Sequence, residues 1–309
     1  MKLMIIDRLK YALSAMLLLG VGLVGCKEDV AQLSIAETVN TNADFSILKA
    51  AITRANLTDA LSKGTLTVFA PNDVAFKNAG IDLSTVNSMP IPMLTSVLQY
   101  HVLSTTTAST AIPTAANTEV TTLGGAKAYI TKNATGVSIN GKKVVTPDLA
   151  ASNGVIHVID NVLMPPAGNI VVVAQGNANL TYLVAAVLRA GSTNTTLIPT
   201  LSNNTLTVFA PTNAAFIAAG FPTIASINAA MPATLATILL NHVVADRVFS
   251  SNLVAGNVAA VGGKPLTITL GTGVQVRGAG NGTNNANVTA ANIVATNGVV
   301  HVVDRVLLP

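Results

Sequence analysis

The strongest constraint in this sequence is that it repeats itself. Residues 65–71, reading Thr-Leu-Thr-Val-Phe-Ala-Pro, return unchanged at 205–211, and each copy is followed by an Ala-Phe pair, Ala75-Phe76 and Ala215-Phe216. A second block, Asn-Gly-Val-Ile-His-Val-Ile-Asp at 153–160, returns as Asn-Gly-Val-Val-His-Val-Val-Asp at 297–304. Between the blocks, Leu98-Gln99-Tyr100-His101-Val102 corresponds to Leu239-Leu240-Asn241-His242-Val243. A unit of about 135 to 140 residues is far longer than the repeat of a solenoid, so each copy is expected to be a self-sufficient domain. The join falls near residues 165–168, Pro-Pro-Ala-Gly, a short and stiff linker by composition.

The composition looks like that of a membrane protein, with 50% hydrophobic and 10% charged residues and a mean hydropathy of +0.57. A spanning helix needs about 20 consecutive apolar residues, and the one candidate run is 11–25. Downstream, Thr, Asn, Gly or Pro interrupts the chain every few residues, which excludes a polytopic membrane protein. So apolar a chain is not disordered either. Lys2, Arg8 and Lys10 precede the apolar run as in a secretory signal, so residues 1–25 are expected to be removed. The run ends Leu23-Val24-Gly25-Cys26, which resembles the lipobox of bacterial lipoproteins, in which the cysteine is lipidated and becomes the first mature residue. Cys26 is the one cysteine of the chain, so neither an intramolecular disulfide nor a cysteine-based metal site can form. Lys27-Glu28-Asp29 resembles the signal that sends some Bacteroidetes-type lipoproteins to the cell surface, and reads equally as a solvated charge run. Three of the 17 basic residues and one of the 13 acidic residues lie in the signal, so the remainder is nearly neutral. No Lys/Arg stripe of a nucleic-acid binder is present.

Within a unit, Asp44 is expected to cap a helix carrying Phe45, Leu48, Ile52 and Ala55 at helical spacing, with Asn179 doing the same in the second copy. The alternating 65–70 run predicts a strand with Leu66, Val68 and Ala70 on one face, ended by Pro71. Asn72 or Asp73, and Thr212 or Asn213, can cap a short helix that buries Phe76 or Phe216. A further helix around Leu94, Val97 and Leu98 runs into His101, as its counterpart runs into His242. The C-terminal part of each unit is strand-like, and the Asn-Gly pairs of the closing blocks predict hairpins with type I′ turns. The sum is an α+β unit.

The Thr-Val-Phe-Ala-Pro block, the central Tyr-His and the closing Asn-Gly-Val-x-His-Val-x-Asp-x-Val-Leu resemble the two signature blocks and intervening motif of fasciclin-type (fasciclin I, FAS1) domains. The resemblance covers essentially all of the expected mature chain. It implies two tandem domains, each a β-sandwich or wedge with helices packed on it, at 34–165 and 166–309, after a signal (1–25) and an anchor with a short linker (26–33). It also implies adhesion or matrix association rather than catalysis. Members that bind cell-surface receptors use the Tyr-His region and a Pro-Asp-Ile-type segment before the second block. Copy one has Tyr100-His101 and Pro147-Asp148-Leu149; copy two has Asn241-His242 and Asn292-Ile293-Val294. Copy one is therefore the expected interaction module, and copy two a spacer or a differently specific binder. Tyr100 reads equally as an aromatic lid on the core.

Catalytic motifs are sparse. Histidine is the usual base and metal ligand, and each copy holds two at equivalent positions. Residues that two diverged copies both keep are explained more economically by the fold than by duplicate active sites. His157 and His301, in apolar strands, read as hydrogen-bonded core residues, and Asp160 and Asp304 as scaffold carboxylates or turn acceptors. No ligand spacing suggests a metal, no cofactor motif occurs, and neither a Gly-x-Ser-x-Gly elbow nor a Walker loop is present. Gly124-Gly125 and Gly262-Gly263 suggest strand-entry turns. The expectation is a non-enzymatic outer-membrane lipoprotein, exposed at the surface or facing the periplasm, whose partner is a surface or matrix protein or a polysaccharide. A glycan- or solute-binding lipoprotein is the alternative, weakened by the absence of Trp for stacking on sugars.

Overall fold

In the computed structural model, residues 32–309 are described, so the signal, Cys26 and Lys27-Glu28-Asp29 lie outside the described residues. Residues 33–309 form one compact unit. Its first half runs α1 (Ile35–Thr41), α2 (Ser46–Arg54), α3 (Thr58–Leu61), β1 (Leu66–Pro71), α4 (Asp73–Asn78), α5 (Leu83–Ser88), α6 (Ile91–Tyr100), β2 (Val102–Leu103), β3 (Thr118–Thr121), β4 (Lys127–Asn133), β5 (Gly136–Ile139), β6 (Lys142–Ala151) and β7 (Gly154–Ile159). The second half repeats this order: α7 (Ile170–Gln175), α8 (Thr181–Gly191), α9 (Leu197–Asn203), β8 (Leu206–Pro211), α10 (Asn213–Ala218), α11 (Ile224–Ala229), α12 (Pro232–Leu240), β9 (Val243–Val244), β10 (Gly256–Ala259), β11 (Pro265–Leu270), β12 (Val274–Gly278), β13 (Ala286–Ala295) and β14 (Gly298–Val303). Each half is thus the expected α+β domain, with helices first and strands concentrated at its end.

Each domain builds one seven-stranded sheet, ordered β2-β1-β7-β6-β5-β4-β3 and β10-β11-β12-β13-β14-β8-β9. The two signature blocks are therefore adjacent strands near one edge of each sheet, β1 parallel to β7 and β8 parallel to β14. Leu66, Val68 and Ala70 face the helices, in a core with Phe45, Leu48, Ile52 and Phe76. The other face of β1 is also buried: Phe69 and Ile159 meet Ile130 and Ile139 from β4 and β5. Strands at opposite ends of the sheet can share a core only if the sheet curls over itself. The bend sits in β6, where the register slips between Val144 and Leu149 and Asp148 takes a left-handed φ of 58°. β13 slips at the same place, with Asn292 at φ 63°. Bulges of this kind add twist and re-aim the strand.

Local chemistry explains the helices. The caps lie two residues before the expected ones: Asn42 and Asn177 accept from the backbone of Asp44 and Asn179 and open short 3₁₀ turns ahead of α2 and α8. A cap must precede the first free N–H groups, and the apolar periodicity marked only where burial starts. Asn72 and Thr212 cap α4 and α10. Asp73 reaches instead to the start of α2, accepting from Ile47 N at 2.9 Å and Ser46 Oγ at 2.6 Å, and Asn213 accepts from Tyr182 N at 3.0 Å. Asp160 and Asp304 accept from the backbone of Lys143 and Asn287 and hold strand ends.

The type I′ expectation needs correction. β6–β7 and β13–β14 are hairpins, but neither Asn153 nor Asn297 has positive φ. Asn153 instead joins three elements, accepting from Ile35 N and donating to Leu61 O, and Asn297 accepts from Ile170 N and donates to Leu201 O. The turn with positive φ at both central residues is Asn140-Gly141 (48° and 73°), joining β5 to β6.

Candidate interaction surface

The residues expected to form an interaction site fall into two separate networks. Tyr100, at the end of α6, is 1% exposed; its hydroxyl donates to Lys127 O at 2.9 Å and accepts from Asn140 Nδ2 at 2.9 Å. Burial pushes its phenol up to about 12. His101 is buried as well, with Nδ1 against Val97 O at 2.7 Å and Nε2 accepting from Leu163 N at 2.9 Å. Those partners fix the tautomer: Nδ1 carries the proton. His242 repeats the pattern with Ile238 O and Leu307 N. Burial holds both imidazoles at about 4. Tyr100 and His101 are thus not presented to solvent: Tyr100 ties the end of α6 to β4 and the β5–β6 turn, and His101 ties it to the chain after β7. At the position of Tyr100, domain 2 buries Asn241.

Pro147 and Asp148 are exposed, while Leu149 is half-buried against the helical core. The bulge that aims Asp148 outward is held by His157, whose Nδ1 accepts from Asp148 N at 3.2 Å and whose Nε2 donates to Thr107 O at 3.0 Å. His301 makes the same pair of bonds, to Asn292 N and Val248 O. The conserved pattern of the second block is therefore a device that ties the bulge to the loop following β2 or β9. In domain 1, Thr67 Oγ1 donates to Thr105 O and accepts from Thr107 N, and Lys132 Nζ donates to Ser109 O and Ile112 O. The Asp148 carboxylate accepts from Ser109 N at 2.7 Å and from Ser109 Oγ. Partial desolvation works against its charge, but the Ser109 hydrogen bonds, with His157 and Lys132 nearby, hold the carboxyl below its usual range. The outcome is an ordered, threonine-rich loop beside a fixed negative charge.

The equivalent face of domain 2 shows what such a surface can do, because it grips domain 1. Thr207 brackets Asp246 O and Val248 N as Thr67 brackets 105 and 107, so Arg247 matches Thr106, Phe249 matches Ala108 and Asn292 matches Asp148. Arg247 is 7% exposed, its guanidinium donates to the carbonyls of Ala295, Thr296 and Gly298, and its Cζ lies 4.0 Å from the centre of the Tyr129 ring of domain 1. Phe249 closes an apolar cluster with Tyr129, Val294 and Val299. Around it, Asn292 Nδ2 donates to Gly141 O, Asn252 to Asn117, and Asn133 to Ser251 O, while Ser138 meets Ser251. Where Asp148 can only accept, the amide of Asn292 donates across the domain boundary. Copy two has thus lost a charge and gained a donor.

A desolvated cation over an aromatic face contributes up to about 2 kcal/mol, and carbonyls left without donors add to the loss. Arg247→Met is expected to destabilise the pair by about 2 kcal/mol and to split one calorimetric unfolding transition into two. An unsplit transition at the wild-type temperature would show that the clamp does not couple the domains.

The cleft beside this interface has a volume of about 760 Å³ and is lined by Asn140, Lys142, Asn161, Asn177 and Asn292 among apolar residues. Asn140 and Asn292 already use their amides within the protein. Among the described residues, no cluster of His, Cys, Asp or Glu could hold a metal ion, and no helix is long and apolar enough to cross a membrane.

The fasciclin-domain family model matches residues 43–165 and 179–309. Protein sll1483 of Synechocystis sp. is 38% identical over 157 residues, 49% of this chain and 79% of that protein. The cell surface glycolipoprotein MPB83 of Mycobacterium bovis is 30% identical over 150 residues, 46% of this chain and 66% of that protein. A solved FAS1 domain pair from the insect cell adhesion molecule fasciclin I aligns with 85% of this chain and 96% of that one, at 17% identity and a TM-score of 0.41.

Proposed function

Since the chain belongs to the fasciclin-domain family, we propose that it is a non-enzymatic, lipid-anchored protein of the cell envelope that mediates adhesion or matrix association through the open face of its first domain. The observation that carries this reading is the use made of the same face in domain 2. There, the loop and bulge form a docking surface covered by domain 1; in domain 1 the loop around Thr106 and the bulge at Pro147 and Asp148 stay exposed. The partner recognised by Asp148 and a ridge of threonine hydroxyls is a surface or matrix protein or a polysaccharide that offers hydrogen-bond donors. Each histidine has both ring nitrogens bonded inside its domain, so none is free to move a proton for a substrate. That supports a binding role over a catalytic one.

Lipid attachment at Cys26 would place both domains outside the bilayer, since several acyl chains on one residue anchor stably where one does not. The similarity to a cell surface glycolipoprotein supports an outward-facing position in the outer membrane. Treating intact cells with protease is expected to remove both domains, and Cys26→Ala to release the protein from the membrane fraction. Protection from protease would place the protein on the periplasmic face, and membrane retention of Cys26→Ala would remove the lipid anchor from the account.

A further inference from the structure

The two domains differ most in the groove between their first three helices. Ile35 and Ile170 each donate to the asparagine of the closing block, and Ile47 and Tyr182 each to the first residue of the helix that follows the first signature strand (Asp73 of α4, Asn213 of α10), which fixes the equivalence of α1 with α7 and of α2 with α8. In domain 1 the groove is polar, with Glu37, Lys49 and Thr53 on its walls. At those positions domain 2 has Val172, Val184 and Leu188. Inside the groove, Val39 is matched by Ala174 and Ile52 by Val187, both smaller. The helix closing the groove is also different: α3 has four residues and α9 seven. Its approach from α8 is longer, so it stands further along the chain from the first wall.

These changes leave domain 2 with an apolar cavity in place of a polar groove. Domain 2 holds an apolar space of about 110 Å³ that passes from Val184, Val187 and the exposed Leu188 inward to Val208 and Val300 of the paired signature strands. The matching groove of domain 1 is a wider, polar-walled surface depression of about 320 Å³, and the apolar interior beneath α2 and α3 leaves about 20 Å³. The polar groups on the lining are His242, whose two nitrogens are both bonded, and Gln175 at the solvent-exposed end of α7. The volume equals roughly four waters at about 30 Å³ each, but a water needs two to four polar partners, and a carbon-lined site of this kind stays dry. A polar group entering it would lose its hydrogen bonds with nothing in return. A protein side of helix or strand is too broad for a space this size.

We propose that the groove between α7, α8 and α9 binds the end of a single aliphatic chain from a monomeric amphiphile such as a fatty acid or fatty alcohol. The last carbons lie in the cavity, the next ones follow Val184 and Leu188 outward, and the head group stays in solvent, where no charged side chain of the lining receives it. Domain 2 is then the differently specific member of the pair, with a ligand independent of the Asp148 face.

The test is a fluorescence titration of the full chain with cis-parinaric acid below its micelle concentration, followed by displacement with decanol and with decanoate. Wild type is expected to bind one equivalent saturably, with both competitors equally effective because the head group is not read. Ala174→Leu, which fills the cavity, and Val184→Lys, which restores the domain 1 residue at the rim, are each expected to weaken binding at least tenfold; circular dichroism confirms that both variants are folded. Val184 is half-buried at the rim, where the equivalent domain 1 position carries Lys49, so Val184→Lys remains informative if the filled variant is unstable. Absence of saturable binding, or equal binding by wild type and Val184→Lys, would overturn the proposal, and displacement by decanoate alone would overturn the head-group-independent mode. Unchanged adhesion by Val184→Lys separates this result from any failure of the domain 1 reading.

Discussion

Stability is expected to fall steeply as the pH drops from about 6.5 toward 4, with domain 2 opening before domain 1. His101, His242 and His301 are neutral in the folded protein because burial holds each at about 4, against 6.5 for an exposed imidazole. Between those values the unfolded chain binds protons that the folded chain refuses. Stability therefore rises with pH through the window and is lost as pH falls through it. Each histidine contributes on the order of 3 kcal/mol over its full range, and two in one domain already reach the lower end of the stability of a typical domain, about 5–15 kcal/mol. Domain 2 holds two of them and domain 1 one. Urea unfolding at pH 7, 6, 5 and 4, with hydrogen exchange to locate the opening, checks both statements. A midpoint that does not move over this range would mean that the histidines are not held neutral by the fold.

An almost equally severe loss is expected from one added methyl group. At Gly154 and at Gly298, a Cβ would lie 1.9 Å from a carbonyl oxygen, that of Leu66 or Leu206, on the strand alongside. Backbone cannot rotate away as a side chain can, so the parallel ladder of the two signature strands has to separate. Gly154→Ala or Gly298→Ala is expected to cost more than about 4 kcal/mol, in the range reserved for broken core packing and strain. Gly125→Ala is the control: φ there is +84°, but nothing lies within 4 Å, and its cost is about 1 kcal/mol. Similar losses at Gly125 and Gly154 would show that positive φ, not the close strand approach, is what the closing block requires.

The glycine shows why part of the fold was legible in the sequence and part was not. Periodicity identified the strands and the helices because burial of Leu66, Val68, Phe45 and Ile52 leaves a direct mark on residue spacing. The duplication identified the domains, because identical blocks must occupy equivalent places. Asn-Gly reads as a turn, since local chemistry is all a dipeptide displays; its actual role depends on a strand some 90 residues away. The same limit applies to the site. Asp148 and Pro147 were found at the surface, but Tyr100 and His101 carry their pattern because they close the core, and a motif gives no direction in which its side chains point. Arg247, Phe249 and Tyr129 were missed altogether. Their signal was available as an asymmetry: Arg and Phe stand in copy two where copy one has Thr106 and Ala108. An interface between two similar domains has to be built from what they do not share.

The same asymmetry leaves the face of domain 1 open, and Asp148 is its fixed charge. Asn292 shows that an asparagine adopts the same bulge and accepts from the same serine backbone, at 2.7 Å in both domains, so Asp148→Asn removes the charge and keeps the fold. The most direct measurement is therefore the adhesion of cells displaying the full-length protein, or of matrix to the immobilised protein, for wild type and Asp148→Asn at equal display and equal melting temperature. The account predicts that Asp148→Asn loses most of the adhesion, at least tenfold in half-saturating surface density. Wild-type adhesion by Asp148→Asn would contradict it and move the binding function away from the open face of domain 1.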